Sequence, residues 1–173
     1  AILIERAQFV ENLRNLGQEA IGGSKDVYKQ VVAAANQFTN CSIALWKVDD
    51  KNPSKARIQA SVGLREVYAE NRELDLEESV TGIAIRQSEI IEVSDIQEDT
   101  KVSPKTKIEA EEQGWTSMLV VPLLSDIEQS VGTLSVYGKQ NRIFSSWEID
   151  ALQLFANQAS VAIQNANHLQ FIQ

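Results

Sequence analysis

Residues 115–124 read WTSMLVVPLL and residues 131–137 read VGTLSVY. Both stretches have the apolar, β-branched composition and the two-residue alternation that are typical of β-strands. The polar segment 125–130 between them has the composition of a turn. Because a connection this short joins antiparallel strands, this part of the chain predicts an antiparallel sheet.

Further elements are predicted on both sides of this hairpin. Residues 39–48 and 57–62 form a second pair of strands around the turn-forming segment 49–54. Residues 90–93 form a shorter strand, and the acidic segment 66–78 predicts no element. Helical periodicity and capping residues predict helices over 2–21, over 24–35, over 79–86, over 105–113 with Gly114 as its stop, and from Ser145 to the chain end. The fold class is therefore α+β, with helices packed on one sheet.

Composition limits the partners that the chain can have. It has 173 residues, enough for one domain, and a formal net charge of -8, which repels nucleic acid and anionic membrane surfaces. No apolar run approaches the roughly 18 residues that span a bilayer, and the first residues do not resemble a signal peptide. The single Cys41 excludes an internal disulfide and fits a reducing compartment. We expect a fragment of a longer cytoplasmic protein, without nucleic-acid partners and without direct membrane insertion.

The residues needed for catalytic or metal chemistry are scarce. The chain has one His and one Cys, whereas a structural zinc site takes about four such ligands. A Ser-His-Asp system would have to use His168, close to the chain end, where a surface residue is expected. The pairs and runs of acidic residues at 77–78 and 109–112 indicate solvated helix faces. We therefore expect no catalytic residues, no metal site and no enzyme activity.

Several stretches taken together resemble the GAF domain family. They are GIAIRQSEIIEVSD at 82–95, SMLVVPL at 117–123, VGTLSV at 131–136, FS at 144–145, LFANQA at 154–159 and AIQNA at 162–166. The resemblance covers residues 24–168. It implies a six-stranded antiparallel sheet with the terminal helices on one face, and with short helices and loops over a small-molecule pocket on the other. The expected organisation is a linker or dimerisation helix over 1–23, followed by a GAF domain over 24–173.

The resemblance also implies a function. It indicates a sensory domain of a bacterial-type signalling protein, such as a histidine kinase, a response regulator or a cyclase. Such a domain binds a small molecule and transmits a conformational change through its terminal helices to an output domain in the same chain, as in two-component systems. The alternative is a ligand-free dimerisation spacer in the same setting.

Departures from the family pattern bear on the effector. Members that carry a linear tetrapyrrole through a thioether have a Cys before the 117–122 strand, and segment 101–113 has none. The signature of cyclic-nucleotide-binding members is missing, and members that reduce free methionine sulfoxide need more than one Cys. We expect no covalent cofactor and an unknown small-molecule effector.

Alternation along the 115–137 hairpin predicts which side chains meet the pocket. A wholly apolar set should face the helices: Met118, Val120, Pro122, Gly132, Leu134 and Val136. The other set should face the pocket, where its hydroxyl groups need partners from a ligand or trapped water. With three residues added by similarity to the family, the predicted ligand-binding set is Trp46, Asp95, Ile96, Ser117, Leu119, Val121, Thr133, Ser135 and Tyr137. The alternative is that these groups satisfy each other in a filled core.

The terminal helices predict an assembly. Ile149, Leu152, Ala156, Ala159, Ile163 and Ala166 follow the three-four spacing of a coiled-coil-like seam, and the first helix carries an apolar stripe of its own. One possibility is a single broad stripe buried within the domain. We favour a homodimer through the residues Phe9, Leu13, Leu16, Ala156, Ala159, Ile163 and Ala166.

Overall fold

The computed structural model describes residue 11 and residues 24–66, 73–124 and 130–172. In chain order, these ranges contain α1 (Ser24–Thr39), β1 (Ser42–Val48), β2 (Lys55–Val62), β3 (Glu73–Asp75), α2 (Val80–Gln87), β4 (Ile91–Val93), α3 (Pro104–Gln113), β5 (Trp115–Leu124), β6 (Ser130–Lys139) and α4 (Ser146–Ile172). The helix predicted over 2–21 falls almost wholly outside the described residues, so the domain boundary at residue 23 stays a prediction.

The six strands form one antiparallel sheet in the order β3-β2-β1-β6-β5-β4. The α+β class and the six-stranded antiparallel sheet are therefore confirmed. The sixth strand, β3, lies in the segment for which the sequence predicts no element. Its three residues are too few to show a period, and they are held by pairing with β2, where Arg57 also contacts Glu73 across the strands at 2.8 Å.

Local chemistry sets the ends of the helices on the sheet. Ser79 precedes α2, and its Oγ accepts the backbone N–H of Gly82 at 3.1 Å. Gly114 ends α3 in the left-handed region at φ 79°, which glycine adopts without a Cβ clash. Before α4, Ser145 and Glu148 exchange side-chain to backbone hydrogen bonds of 3.1 and 3.0 Å, forming the capping box predicted from their spacing.

Each face of the sheet buries a separate apolar cluster. The terminal helices α1 and α4 cover one face, where they pack on Ile43, Leu45, Leu134 and Val136 among others. The short helices α2 and α3 cover the other face, over a cluster that includes Ala44, Trp46, Met118, Val120 and Tyr137. Because both faces are buried, the central strands are apolar on both sides.

The predicted faces are right for β6 and wrong for β5. Residues opposite one another on neighbouring strands share a face, and Leu119 lies opposite Val136 while Met118 lies opposite Tyr137. Leu119 and Val121 therefore face the terminal helices, and Met118 and Val120 face away from them. Since β5 is apolar on both sides, its sequence does not show which side faces the terminal helices. The pairing with β6 decides this.

The predicted dimer seam on α4 also needs correction. Ala156 and Ala159 are fully buried, and Ile163 and Ala166 are nearly so, all within the core of the single chain. These side chains are not available to a second copy, so the alternative of one broad buried stripe is the correct one for them. The other predicted dimer residues, Phe9, Leu13 and Leu16, lie outside the described residues.

No helix in the described part of the chain is both long enough and apolar enough to cross a bilayer.

Candidate ligand-binding site

A small cavity lies between the sheet and the helices α2 and α3. The strands contribute Trp46 from β1, Trp115 and Met118 from β5, and Ser135 and Tyr137 from β6. Its volume of about 30 Å³ is room for a water molecule and little more. Leu74 of β3 adds to the wall, and the rest comes from the segments around α2 and α3, namely Ser79, Val80, Thr81, Ser103, Thr106 and Glu109.

Two tryptophans that line this cavity each have an indole N–H group without a hydrogen-bond partner. Trp46 and Trp115 are only 4% and 5% exposed, and the Nε1 atom of each is buried without a protein acceptor. Thr133 Oγ1, opposite Trp46 on the neighbouring strand, is buried and unpaired as well. Each buried polar group left without a partner costs about 1–3 kcal/mol, so partners for these three groups would stabilise the folded protein.

An aromatic wall orients one of these donors. The rings of Trp115 and Tyr137 are stacked, with centroids 3.8 Å apart and planes within 10° of parallel. Tyr137 is buried and sits opposite Met118. The stack fixes the plane of the indole, and such rigid aromatic surfaces favour planar or apolar parts of a ligand.

Hydroxyl groups line the opposite wall, and three of them already form hydrogen bonds within the protein. Ser79 Oγ caps α2, and Ser103 Oγ accepts the Thr106 N–H at 3.2 Å while donating to Thr106 Oγ1 at 3.0 Å. Among the described residues around the cavity, Glu109 is the one carboxylate. This wall therefore carries hydroxyl groups and one carboxylate, which are the groups that a polar ligand would meet.

The predicted ligand-binding residues divide between this site and other places. Trp46, Ser135 and Tyr137 line the cavity, and Thr133 and Ile96 are buried on the same side of the sheet without lining it. Asp95 is exposed, and its Oδ1 accepts the Gln97 N–H at 3.1 Å in a turn.

Ser117, Leu119 and Val121 do not reach the cavity. Leu119 and Val121 belong to the cluster under α1 and α4, and Ser117 Oγ donates to the backbone carbonyl of Arg142 at 2.6 Å. These three assignments depend on the reversed face of β5 and are corrected with it.

The sequence-based set misses Trp115, although it stands inside a predicted strand. A bulge between Trp115 and Ser117 interrupts the alternation, so Trp115 falls on the same face as Met118 and Tyr137. The available signal was a large aromatic residue directly after the helix-ending Gly114. Simple alternation places Trp115 on the face of Ser117 and Leu119, which was predicted to be the pocket face and is in fact the face of the terminal helices.

The groups capable of covalent or metal chemistry lie elsewhere. Cys41 is buried at the start of β1 on the side of the terminal helices, where its thiol donates to Thr39 O at 3.4 Å. Burial raises the pKa of this thiol above its ordinary value, although the nearby Arg142 acts in the opposite direction. No cluster of three His, Cys, Asp or Glu side chains that could hold a metal occurs in the described part of the chain.

Comparison with known proteins gives one family and several related folds. The family model described as GAF domain matches residues 23–164. No curated protein matches the sequence. The GAF domain from an Acinetobacter phosphoenolpyruvate-protein phosphotransferase superposes with a TM-score of 0.76 at 20% identity, over 94% of this chain and 97% of that one.

Two further solved structures show how widely this fold is used. Residues 122 to 287 of a methyl-accepting chemotaxis protein match with a TM-score of 0.75 at 19% identity, covering 91% of this chain and 98% of that one. The free methionine-R-sulfoxide reductase from Neisseria meningitidis, solved with its substrate, matches with a TM-score of 0.75 at 15% identity, covering 94% and 92%.

Proposed function

Because the chain belongs to the GAF domain family, we propose that it is a sensory domain that binds a small molecule, without catalysis, against Trp46 and Trp115. The observation that carries this proposal is the pair of buried indole N–H groups without protein acceptors. A ligand with two acceptor atoms, such as a carboxylate or carbonyl compound, would satisfy both donors and recover their desolvation cost.

Binding requires the cavity to enlarge, and this supplies a signal. The space of about 30 Å³ does not hold a metabolite, so α2 and α3 have to move away from the sheet when one enters. A ligand can shift the equilibrium only as far as it prefers the opened state. The indole N–H groups of Trp46 and Trp115 provide the preference for the opened state, because a bound ligand supplies the acceptors that the protein does not.

The sheet connects the cavity with the terminal helices. Met118 and Tyr137 face the cavity, while their chain neighbours Leu119 and Val136 pack beneath α1 and α4. Displacement of these strands by a ligand would therefore change how α4 packs on the sheet. We propose that α4 carries the change to an output domain in the same chain. In support, this fold occurs as one part of a phosphotransferase and of a chemotaxis protein.

One related structure is an enzyme, which makes the catalytic alternative concrete. The Neisseria meningitidis reductase shares the fold, but the single cysteine of this chain lies under the terminal helices and not in the cavity. The arrangement of Cys41 supports a binding role for the cavity.

A ligand-free spacer domain is the second candidate. The observation that favours it is the small size of the cavity, which one trapped water would fill. In that case the two indole groups would share this water and the site would remain closed.

The indole resonances distinguish the two candidates. The chain has three tryptophans, and Trp147 reports on the far side of the sheet, because it lies in the first turn of α4 and packs against Phe38. Protein labelled with ¹⁵N would be screened against a library of small carboxylates and amides. A ligand of this site shifts the indole signals of Trp46 and Trp115 most, and a smaller shift of the Trp147 signal reports the change at α4. If no compound moves them at millimolar concentration, the spacer function is correct.

A further inference from the structure

A second and larger cavity lies outside the site described above. It has a volume of about 360 Å³ and sits where the end of α1, the start of β1 and the turn after β6 meet. Its wall is mostly polar and includes Asn36, Asn40, Ser42, Lys139, Gln140 and Arg142, together with Thr39, Cys41 and Tyr137. Side-chain amides, hydroxyl groups and two basic side chains thus surround a space of metabolite size.

The charge of this cavity is opposite to that of the chain. Lys139 and Arg142 line it, and none of its described lining residues is a carboxylate, although acidic residues exceed basic ones by 24 to 16 overall. Lys139 is exposed and takes part in none of the ion pairs formed among the described residues. A local cationic site on an acidic protein attracts small anions.

The turn that presents these cations is conformationally strained. Arg142 N donates to Lys139 O at 3.1 Å, which closes a turn whose central residues Gln140 and Asn141 have φ of 55° and 60°. Neither is a glycine, and left-handed conformations of such residues cost of order 1 kcal/mol each. The turn places Lys139, Gln140 and Arg142 on the same rim of the cavity.

Arg142 also connects this cavity to α4. Its guanidinium forms a two-point contact with the carboxylate of Glu148 and donates to Ile143 O at 2.6 Å. These bonds use three of the five N–H groups of the guanidinium. Glu148 Oε1 in turn accepts the Ser145 N–H at 3.0 Å in the capping box. Any charge placed beside Arg142 therefore acts on the first turn of α4.

We propose that this cavity binds a small oxyanion between Lys139 and Arg142, and that the bound anion weakens the Arg142–Glu148 pair at the start of α4. The ligand class is a small molecule that carries a carboxylate or a phosphate, with its remaining polar atoms met by the amides of Asn36, Asn40 and Gln140. The anion and Glu148 share one guanidinium. Because like charges repel, an anion in the cavity weakens the Arg142–Glu148 ion pair at the start of α4. Among the described lining residues, this cavity shares Tyr137 with the Trp46–Trp115 cavity and is otherwise lined by different side chains.

The probes are inorganic phosphate and citrate, titrated separately at constant ionic strength into ¹⁵N-labelled protein. We expect saturable shifts at residues 36, 40–42 and 139–142. Whichever of the two probes binds more tightly identifies phosphate or carboxylate as the preferred group. Lys139→Gln should weaken binding about fivefold to tenfold by removing a charge-assisted contact. Lys105→Gln, which removes the same charge on α3, should leave the affinity unchanged. Absence of saturation with both probes, or equal loss in both variants, would overturn the proposal.

Glu148→Gln tests the connection to α4. Glutamine retains the capping-box bond to the Ser145 N–H, so the helix keeps its cap, while Arg142 loses its competing carboxylate. Anion affinity should rise about threefold or more at low salt, because exposed charges are not screened there. An unchanged or weaker affinity in Glu148→Gln would show that the cavity and Glu148 are not linked, and would sink that half of the proposal.

Discussion

Trp115 and Tyr137 stack face to face at a centroid separation of 3.8 Å, from neighbouring strands of the sheet. Their contact exists because a bulge after Trp115 brings it onto the face of Tyr137. The stack closes one side of the cavity and holds an indole donor there without an acceptor. The cavity is thus built from an aromatic pair whose members lie 22 residues apart in the sequence.

Trp46→Phe should cost little stability for so large a buried residue. Phenylalanine keeps most of the apolar ring and removes an N–H that has no protein acceptor. We expect a loss of about 0–2 kcal/mol in the free energy of unfolding, against about 3–5 kcal/mol for Trp46→Ala, which leaves a cavity. Urea denaturation of the two variants measures the difference. Equal losses in both would show that the N–H is paired in the folded protein.

Charge on the buried stripe of α4 should unfold the domain. Ala159→Glu combined with Ile163→Glu places two carboxylates among apolar core residues, at several kcal/mol each. The control is Leu154→Glu with Val161→Glu, since these side chains are 52% and 46% exposed on the same helix. That pair should change stability by about 0.5 kcal/mol per site or less.

Circular dichroism measures whether each double variant is folded, and sedimentation measures its oligomeric state. The first double variant should lose its folded signal, and the control should keep it. If the Ala159→Glu, Ile163→Glu protein is folded and monomeric while the wild type is oligomeric, this stripe forms the dimer interface after all.

Gly82→Ala should be more damaging than Gly114→Ala, for different physical reasons. A Cβ at Gly82 would lie 1.6 Å from the carbonyl oxygen of Leu76. Helix α2 would therefore have to move away from the backbone at Leu76. At Gly114 a Cβ meets no atom within 4 Å, and only its φ of 79° opposes substitution, at about 1 kcal/mol. Thermal unfolding of both variants ranks the losses. A milder effect at Gly82 would contradict the packing of α2.

The Arg142–Glu148 pair should make stability depend on pH in the acidic range. Burial opposes ionisation of Glu148, but hydrogen bonds from Arg142 and from the Ser145 N–H outweigh it and hold its pKa below the ordinary value. The folded state therefore binds the proton less readily than the unfolded state. The stabilisation is fully present above the ordinary glutamate pKa of about 4.3, and it is lost as the pH falls through the lower folded-state pKa.

Comparison of wild type with Glu148→Gln over about pH 3 to 7 isolates this contribution. The advantage of the wild type in urea denaturation should be constant near neutrality and should shrink at the acidic end. An advantage that grows on acidification would mean that the folded-state pKa is raised instead.

Much of the local structure could be predicted because it depends on residues close together in the chain. Ser79 before α2, Gly114 after α3, and the Ser145–Glu148 pair before α4 act within three or four residues, and each appears where its spacing predicts. The face of β6 was also predictable, since Ser135 and Tyr137 alternate with the wholly apolar Leu134 and Val136.

The tertiary structure alone decided the features that depend on distant partners. The direction of β5 follows from its register with β6, because its own side chains are apolar on both faces. β3 exists through pairing with β2, and the α4 stripe around Ala159 is buried by strands far away in the chain. Trp115 entered the site through a bulge that no period reveals. Capping and alternation act over a few residues, so they were enough to locate the described helices and five of the six strands, whereas register and packing set which faces meet and so placed the site.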